Sequence, residues 1–131
     1  CLVSDMKMLN QFVEEIPEVA YNILKYADQP TTIIYDKPIR VAENLVGEDN
    51  TLGIRIVQDE FCRSLIKKMG RPLVSTSANI SGSVFPKQFS EITDEIKTNV
   101  DYVVNLRQDE IMNKPSQIIL INMNGSIKKL R

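Results

Sequence analysis

QIILINMNGSIKKL, residues 117–130, decides the fold. Its β-branched, apolar start reads as a strand, and Asn124-Gly125 marks the turn of a closing hairpin. A hairpin requires an antiparallel pair. Upstream, strands and helices alternate instead. TTIIYD (31–36) and LGIRIV (52–57) read as strands, Leu73–Ser75 as a short buried strand, and DYVVNL (101–106) as another. SDMKMLNQFVEEI reads as a helix capped by Ser4 or Asp5, with Met6, Leu9, Phe12 and Val13 at helical spacing. Pro17 starts a second helix with Val19, Ala20, Ile23 and Leu24 on one face, and Asp28-Gln29-Pro30 breaks it. DEFCRSLIKKMG is a helix capped by Asp59 and ended by Gly70; FSEITDEIKTNV (89–100) is another, with Ser90 capping. Between the strands 31–36 and 52–57, residues 37–50 form a loop with a short strand around Ile39–Val41. Alternation followed by a hairpin predicts an α/β fold on a mixed sheet.

A length of 131 residues suits one domain around one core. No apolar run is long enough to cross a bilayer, and CLVSDMKMLNQ is no signal peptide. The chain opens mid-pattern on Cys1-Leu2-Val3, without Met, as a chain lacking upstream residues would. Cys1 and Cys62 form no CxxC pair and no disulfide framework, so a reducing cytoplasm is the simplest setting. Histidine is absent, which excludes a Ser-His-Asp triad, a Cys-His dyad and any His-liganded zinc within this chain. Net charge is −1, so no global basic field announces nucleic acid. Arg63, Lys67, Lys68 and Arg71 cluster, as do Lys128, Lys129 and Arg131; they are solvated faces or a local basic surface. Neither a Walker A pattern nor GxGxxG occurs. Glu14-Glu15, Asp59-Glu60 and Asp109-Glu110 suit capping rather than a metal site.

The least ordinary stretch is PLVSTSANISG, residues 72–82. Strand ends in open α/β sheets host ligands. Ser77 offers a hydroxyl, Asn79 an amide, and Gly82 lets the backbone approach an anion. The competing reading is a turn-rich loop whose polar groups satisfy its own backbone. Arg55 lies between Ile54 and Ile56, so strand alternation turns it to the opposite face, toward solvent or an anion.

These pieces, in order, resemble the YrdC-type family of threonylcarbamoyl-adenylate synthases. STSAN followed by Ile80-Ser81-Gly82 is similar to the family's most recognisable signature. Thr51-Leu52-Gly53-Ile54-Arg55 matches its T-x-x-x-R strand. Pro115-Ser116 before an Ile-rich strand resembles its Pro-Ser-Thr-Ile motif, with Gln117 where Thr is usual. Lys129-Leu130-Arg131 looks like its final Arg element. The resemblance covers essentially the whole chain, residues 1–131, as one YrdC-like domain. The family's N-terminal basic loop would precede Cys1, so a segment of the site is expected to be missing. Ala27–Thr32 stands where the family has a Trp-Pro-Gly-Pro segment ending in Thr; Pro30 and Thr32 agree.

The resemblance implies an open twisted mixed β-sheet with flanking helices. It implies a cytoplasmic nucleotidyltransferase that makes threonylcarbamoyl-AMP and pyrophosphate from L-threonine, bicarbonate and ATP, for tRNA modification. By matched position, Thr51, Ser77, Asn79 and Arg131 would contact ATP. Arg55, Ser75 and Ser116 would contact threonine. The nucleophile, a carbamate, is already an anion, so no side-chain acid or base is implied. Magnesium would arrive on the nucleotide, with no protein-bound metal. Without its basic loop the chain alone is expected to be inactive. Downstream tRNA-modification proteins are expected partners, and no membrane. Two other functions stay open: a relative binding tRNA or double-stranded RNA without synthase activity, and a carbamoyl-transfer relative.

Overall fold

The computed structural model describes residues 1–112 and 115–131. Strands β1 (Leu2–Val3), β2 (Thr31–Asp36), β3 (Thr51–Ile56), β4 (Gln117–Ile121) and β5 (Ile127–Lys129) form one sheet in the order β1-β3-β2-β4-β5. β1 runs parallel to β3 and β2 parallel to β4; β2 is antiparallel to β3 and β4 to β5. The sheet is therefore mixed, as the terminal hairpin required. Gly125 supplies the positive φ of 79° in its turn, where its N–H donates to Asn122 at 2.9 Å.

Alternation sorts the two faces of the sheet. Ile33, Tyr35, Leu52, Ile54, Ile119 and Ile121 point to one side and are buried there. Helices α1 (Met6–Leu9) and α2 (Glu18–Tyr26) supply Leu9 and Ala20 to the same core, and Val19, Ile23 and Leu24 pack against it. A smaller cluster joins Leu2 and Val57 to Ile66 of α3 (Glu60–Met69). Asp59 caps α3 by accepting from the Cys62 N–H at 2.9 Å, and Gly70 ends it at φ 68°. Asp5 caps α1 in the same way, accepting from Met8 N–H at 2.9 Å, and that bond holds its carboxyl below the usual carboxylate range.

The buried Tyr35 hydroxyl has no partner among the described residues, and burial pushes its pKa above the usual 10.0. The neutral phenol is thus favoured in the fold, and stability falls as pH rises past the unfolded value of 10.0. Tyr35→Phe removes an unsatisfied donor at constant shape. We expect it to stabilise by about 1 kcal/mol and to flatten the alkaline limb, read from thermal melts at pH 7 and 10.5. A lower melting temperature at pH 7 would show that the hydroxyl is satisfied.

Several local expectations are corrected. The first helix stops at Leu9, and Phe12 and Val13 lie beyond it. Backbone bonds from Ile39 to Phe12 (2.9 Å) and from Glu14 to Lys37 (3.2 Å) draw that segment into an extended course, with a bridge at Val13–Pro38. No strand forms at Ile39–Val41, because Lys37 (φ 49°) and Arg40 (φ 57°) break the extended path; a 3-10 turn follows at Glu43–Leu45. Leu73 makes a lone bridge to Leu2, and Val74 is 60% exposed, so 73–75 is no buried strand.

The chain divides into two compact units, Cys1–Ser75 with Ser116–Arg131, and Thr76–Pro115. In the second, the helix expected over 89–100 is split. A 3-10 turn spans Phe89–Glu91, Ile92 and Thr93 are extended, and α4 runs Asp94–Asn99. Thr93, not Ser90, takes the cap position of α4, while the Glu91 carboxylate accepts the Lys87 N–H at 2.8 Å. Residues 101–106 are not a strand: among the described residues their N–H groups find no ladder partner, and all six are exposed.

Candidate functional site

Thr51, Gly53 and Arg55 occupy the face of β3 turned away from the main core. Register places Asp36 opposite Thr51, Ile34 opposite Gly53 and Thr32 opposite Arg55. An antiparallel partner points the same way as the residue it faces, so these six share one face. Gly53 keeps its middle low. A Cβ there would stand 3.3 Å from Thr32 Cγ2 and 4.0 Å from Ile34 Cγ1. Gly53→Val should therefore crowd Thr32 and cost about 1 kcal/mol of stability. Thermal melts check it, and an unchanged midpoint would mean that Thr32 yields freely.

Arg55 is half-buried and forms no ion pair among the described residues. It borders a cavity of about 110 Å³ together with Pro30, Gln58, Asp59 and Cys62. A guanidinium held by a strand without a carboxylate partner is ready for an anionic group. Thr51 opens β3, and its hydroxyl donates to Asp49 Oδ1 at 2.7 Å, leaving its lone pairs as acceptors. A tight turn precedes it, closed by Gly47 N–H to Thr51 O at 2.9 Å.

Ser116 and Arg131 are brought together, although the sequence assigned them to different ligands. Arg131 Nε donates to Ser116 O at 3.0 Å and Nη2 to Ser116 Oγ at 3.3 Å. The β4–β5 ladder makes the meeting: Leu130 N–H donates to Ile118 O at 2.8 Å, and Ile118 N–H to Arg131 O at 3.1 Å. Ser75 ends its stretch of the first unit and is exposed.

In the second unit, the rest of the STSAN loop, residues 76–79, divides between its two possible readings. Asn79 Nδ2 donates to Ile80 O at 3.0 Å and Ser83 O at 3.2 Å, bracing the turn that Ser83 N–H closes on Ile80 O at 2.9 Å. Its donors thus serve the backbone, yet its buried Oδ1 meets no donor among the described residues. Ser77 is exposed, and its hydroxyl makes no bond within the described residues. The sequence reading missed Asp49, which orients Thr51. It also missed the pairing of Thr32 with Arg55, because strand register is not written in either strand alone.

A mixed α/β sheet with one polar face defines the class. The Sua5/YciO/YrdC family model, described as telomere recombination, matches residues 1–131, and the chain belongs to that family. It is 29% identical over 132 residues to a threonylcarbamoyl-AMP synthase of Buchnera aphidicola, covering 96% of this chain and 68% of the relative. It is 26% identical over 107 residues to one from Idiomarina loihiensis, covering 79% of this chain and 58% of the relative. Across such curated relatives it spans between 31% and 68% of their length. The fold is similar to E. coli YciO (TM-score 0.81, 22% identity, 99% of this chain and 63% of that one). It is equally similar to Pyrococcus abyssi Sua5 complexed with L-threonine (TM-score 0.81, 22% identity, 99% of this chain and 38% of that one).

Proposed function

We propose that this chain is part of an L-threonylcarbamoyladenylate synthase. The reaction joins L-threonine, bicarbonate and ATP into threonylcarbamoyl-AMP and releases pyrophosphate and water, in the cytoplasm, for tRNA modification. One observation carries the reading: a family member presents Thr51, Gly53 and Arg55 in a row on the open face of its sheet. Arg55 holds the threonine carboxylate, with Ser75 and Ser116 as hydrogen-bonding neighbours of the amino acid. Thr51 accepts from the nucleotide, and Ser77 and Arg131 bond its oxygens. Asn79 braces the loop that carries Ser77 and shapes the phosphate end.

The threonine carbamate is an anion and attacks the α-phosphorus in line; the α–β bridging oxygen leaves with pyrophosphate. No proton needs to be removed in that step, which suits a chain without histidine. Its residues act by positioning and by neutralising charge. Magnesium belongs to the nucleotide substrate in this reading. The described residues hold no group of three or more His, Cys, Asp or Glu placed to grip an ion.

The test is pyrophosphate release by the intact protein with ATP. Release that requires both threonine and bicarbonate supports the reading, and release indifferent to either overturns it. A second reading, RNA binding without synthesis, is favoured by exposed Lys67, Lys68 and Arg71 on and just after α3, which form no ion pair among the described residues. Its mark is tRNA binding that weakens steeply with salt and persists without threonine-dependent turnover.

A further inference from the structure

Lys128 and Lys129 form one basic run in the sequence, and the sheet sends them to opposite sides. Lys129 lies opposite Ile119, a member of the main core, so it belongs to the core side of β5. Lys128 lies opposite Leu120, Leu120 beside Ile34, and Ile34 opposite Gly53. Cross-strand partners share a face, so Lys128 stands on the open face that carries Thr51, Gly53 and Arg55. It is exposed and forms no ion pair or hydrogen bond among the described residues. The roles above leave it unused.

The surroundings set a direction across that face, all of it within the first compact unit. On the β1 side, Leu2 is paired to Arg55 and packs with Val57 against Ile66 of α3, so α3 walls the face there. Toward β5, the rows that start at Arg55 and Gly53 pass over Thr32, Ile34, Ile118 and Leu120, with no charged side chain between. Asp36 lies one row further along, opposite Thr51. Three strand spacings of about 4.8 Å put β5 about 14 Å from β3. One cation, Arg55, stands at the α3 end of this floor. At the other end stands Lys128, an ammonium on a flexible four-carbon stem.

In-line displacement puts nucleophile and leaving group on opposite sides of the α-phosphorus. With the threonine carboxylate at Arg55 and α3 behind it, the leaving side faces β5. We infer that Lys128 is a further substrate-binding residue, holding the β- and γ-phosphates of ATP. The carbamate oxygen bonds to the α-phosphorus, and the bridging oxygen departs with the electron pair of the broken bond. Lys128 neutralises the charge gained by that pyrophosphate and transfers no proton. The inference rests on the synthase reading and on threonine sitting at Arg55.

The experiment measures pyrophosphate release by the intact protein and by Lys128→Gln, Lys128→Arg and Lys129→Gln. Lys128→Gln should lower kcat/KM for ATP by about tenfold or more, the scale of one charge-assisted contact. The inhibition constant of added pyrophosphate should rise by a similar factor, while KM for threonine stays unchanged. Lys128→Arg should recover most of the loss. Lys129→Gln removes the same charge from the other side of β5 and should match the wild type. Both lysines are exposed, so thermal melts should agree across the set. Equal losses in the two glutamine variants would reduce the effect to net charge and overturn the inference. Wild-type release that ignores threonine or bicarbonate would overturn the synthase reading and this inference with it. Release that needs both, with Lys128→Gln unaffected, would overturn the inference alone.

Discussion

Replacing Arg55 by alanine is expected to weaken L-threonine binding to the intact protein by about 100-fold, roughly 3 kcal/mol, the scale of a desolvated charge-assisted contact. The side chain stands on a strand, so its position is held by the β2 and β1 ladders on either side. It has no ion pair to lose among the described residues, so the melting temperature should change little. Arg55→Lys keeps the charge and loses the fork; it should recover part of the affinity but not the wild-type value. Calorimetric titration with threonine reads all three proteins. Equal affinity in Arg55→Ala would remove Arg55 from the proposed threonine site while leaving the family assignment, which rests on the whole chain, in place.

Ile33→Ala should be the most damaging of the stability changes. Ile33 has 0% exposure and sits mid-strand in β2, paired to Ile54 on one side and Ile119 on the other. Removing its branched side chain leaves a cavity between neighbours that are themselves held in register. The expected loss is about 2–5 kcal/mol, a large share of the roughly 5–15 kcal/mol that holds a domain folded. Urea unfolding followed by circular dichroism measures it. Ile39→Ala is the control: Ile39 is 37% exposed and outside the core, and should cost less than about 1 kcal/mol. Comparable losses at both positions would contradict the placement of the core.

What could be read in advance follows the range of the interactions involved. β2, β3, α2, α3 and the closing hairpin were legible because each rests on neighbours in sequence. β-branching, helical spacing, the Asp59 cap, Gly70 and Asn124-Gly125 all act within a few residues. Residues 101–106 and 73–75 carried similar strand composition and formed no strand. A strand needs a partner ladder, and composition does not provide one. The segment after Leu9 shows the converse. Phe12 and Val13 had helical spacing, but backbone bonds to residues 37–39, far along the chain, were made instead.

The candidate site divides along the same line. By itself the sequence singled out the candidate residues: the Thr51–Arg55 alternation, the STSAN loop, Ser116 and Arg131. Alternation alone turned Arg55 away from Ile54, and that placement holds. Only the tertiary structure decided which residues meet. Strand order set Thr32 opposite Arg55, and the β4–β5 ladder carried Arg131 onto Ser116. Side-chain type is a property of single positions. Register and strand order arise from contacts between distant segments, and those contacts exist only once the chain has closed its loops.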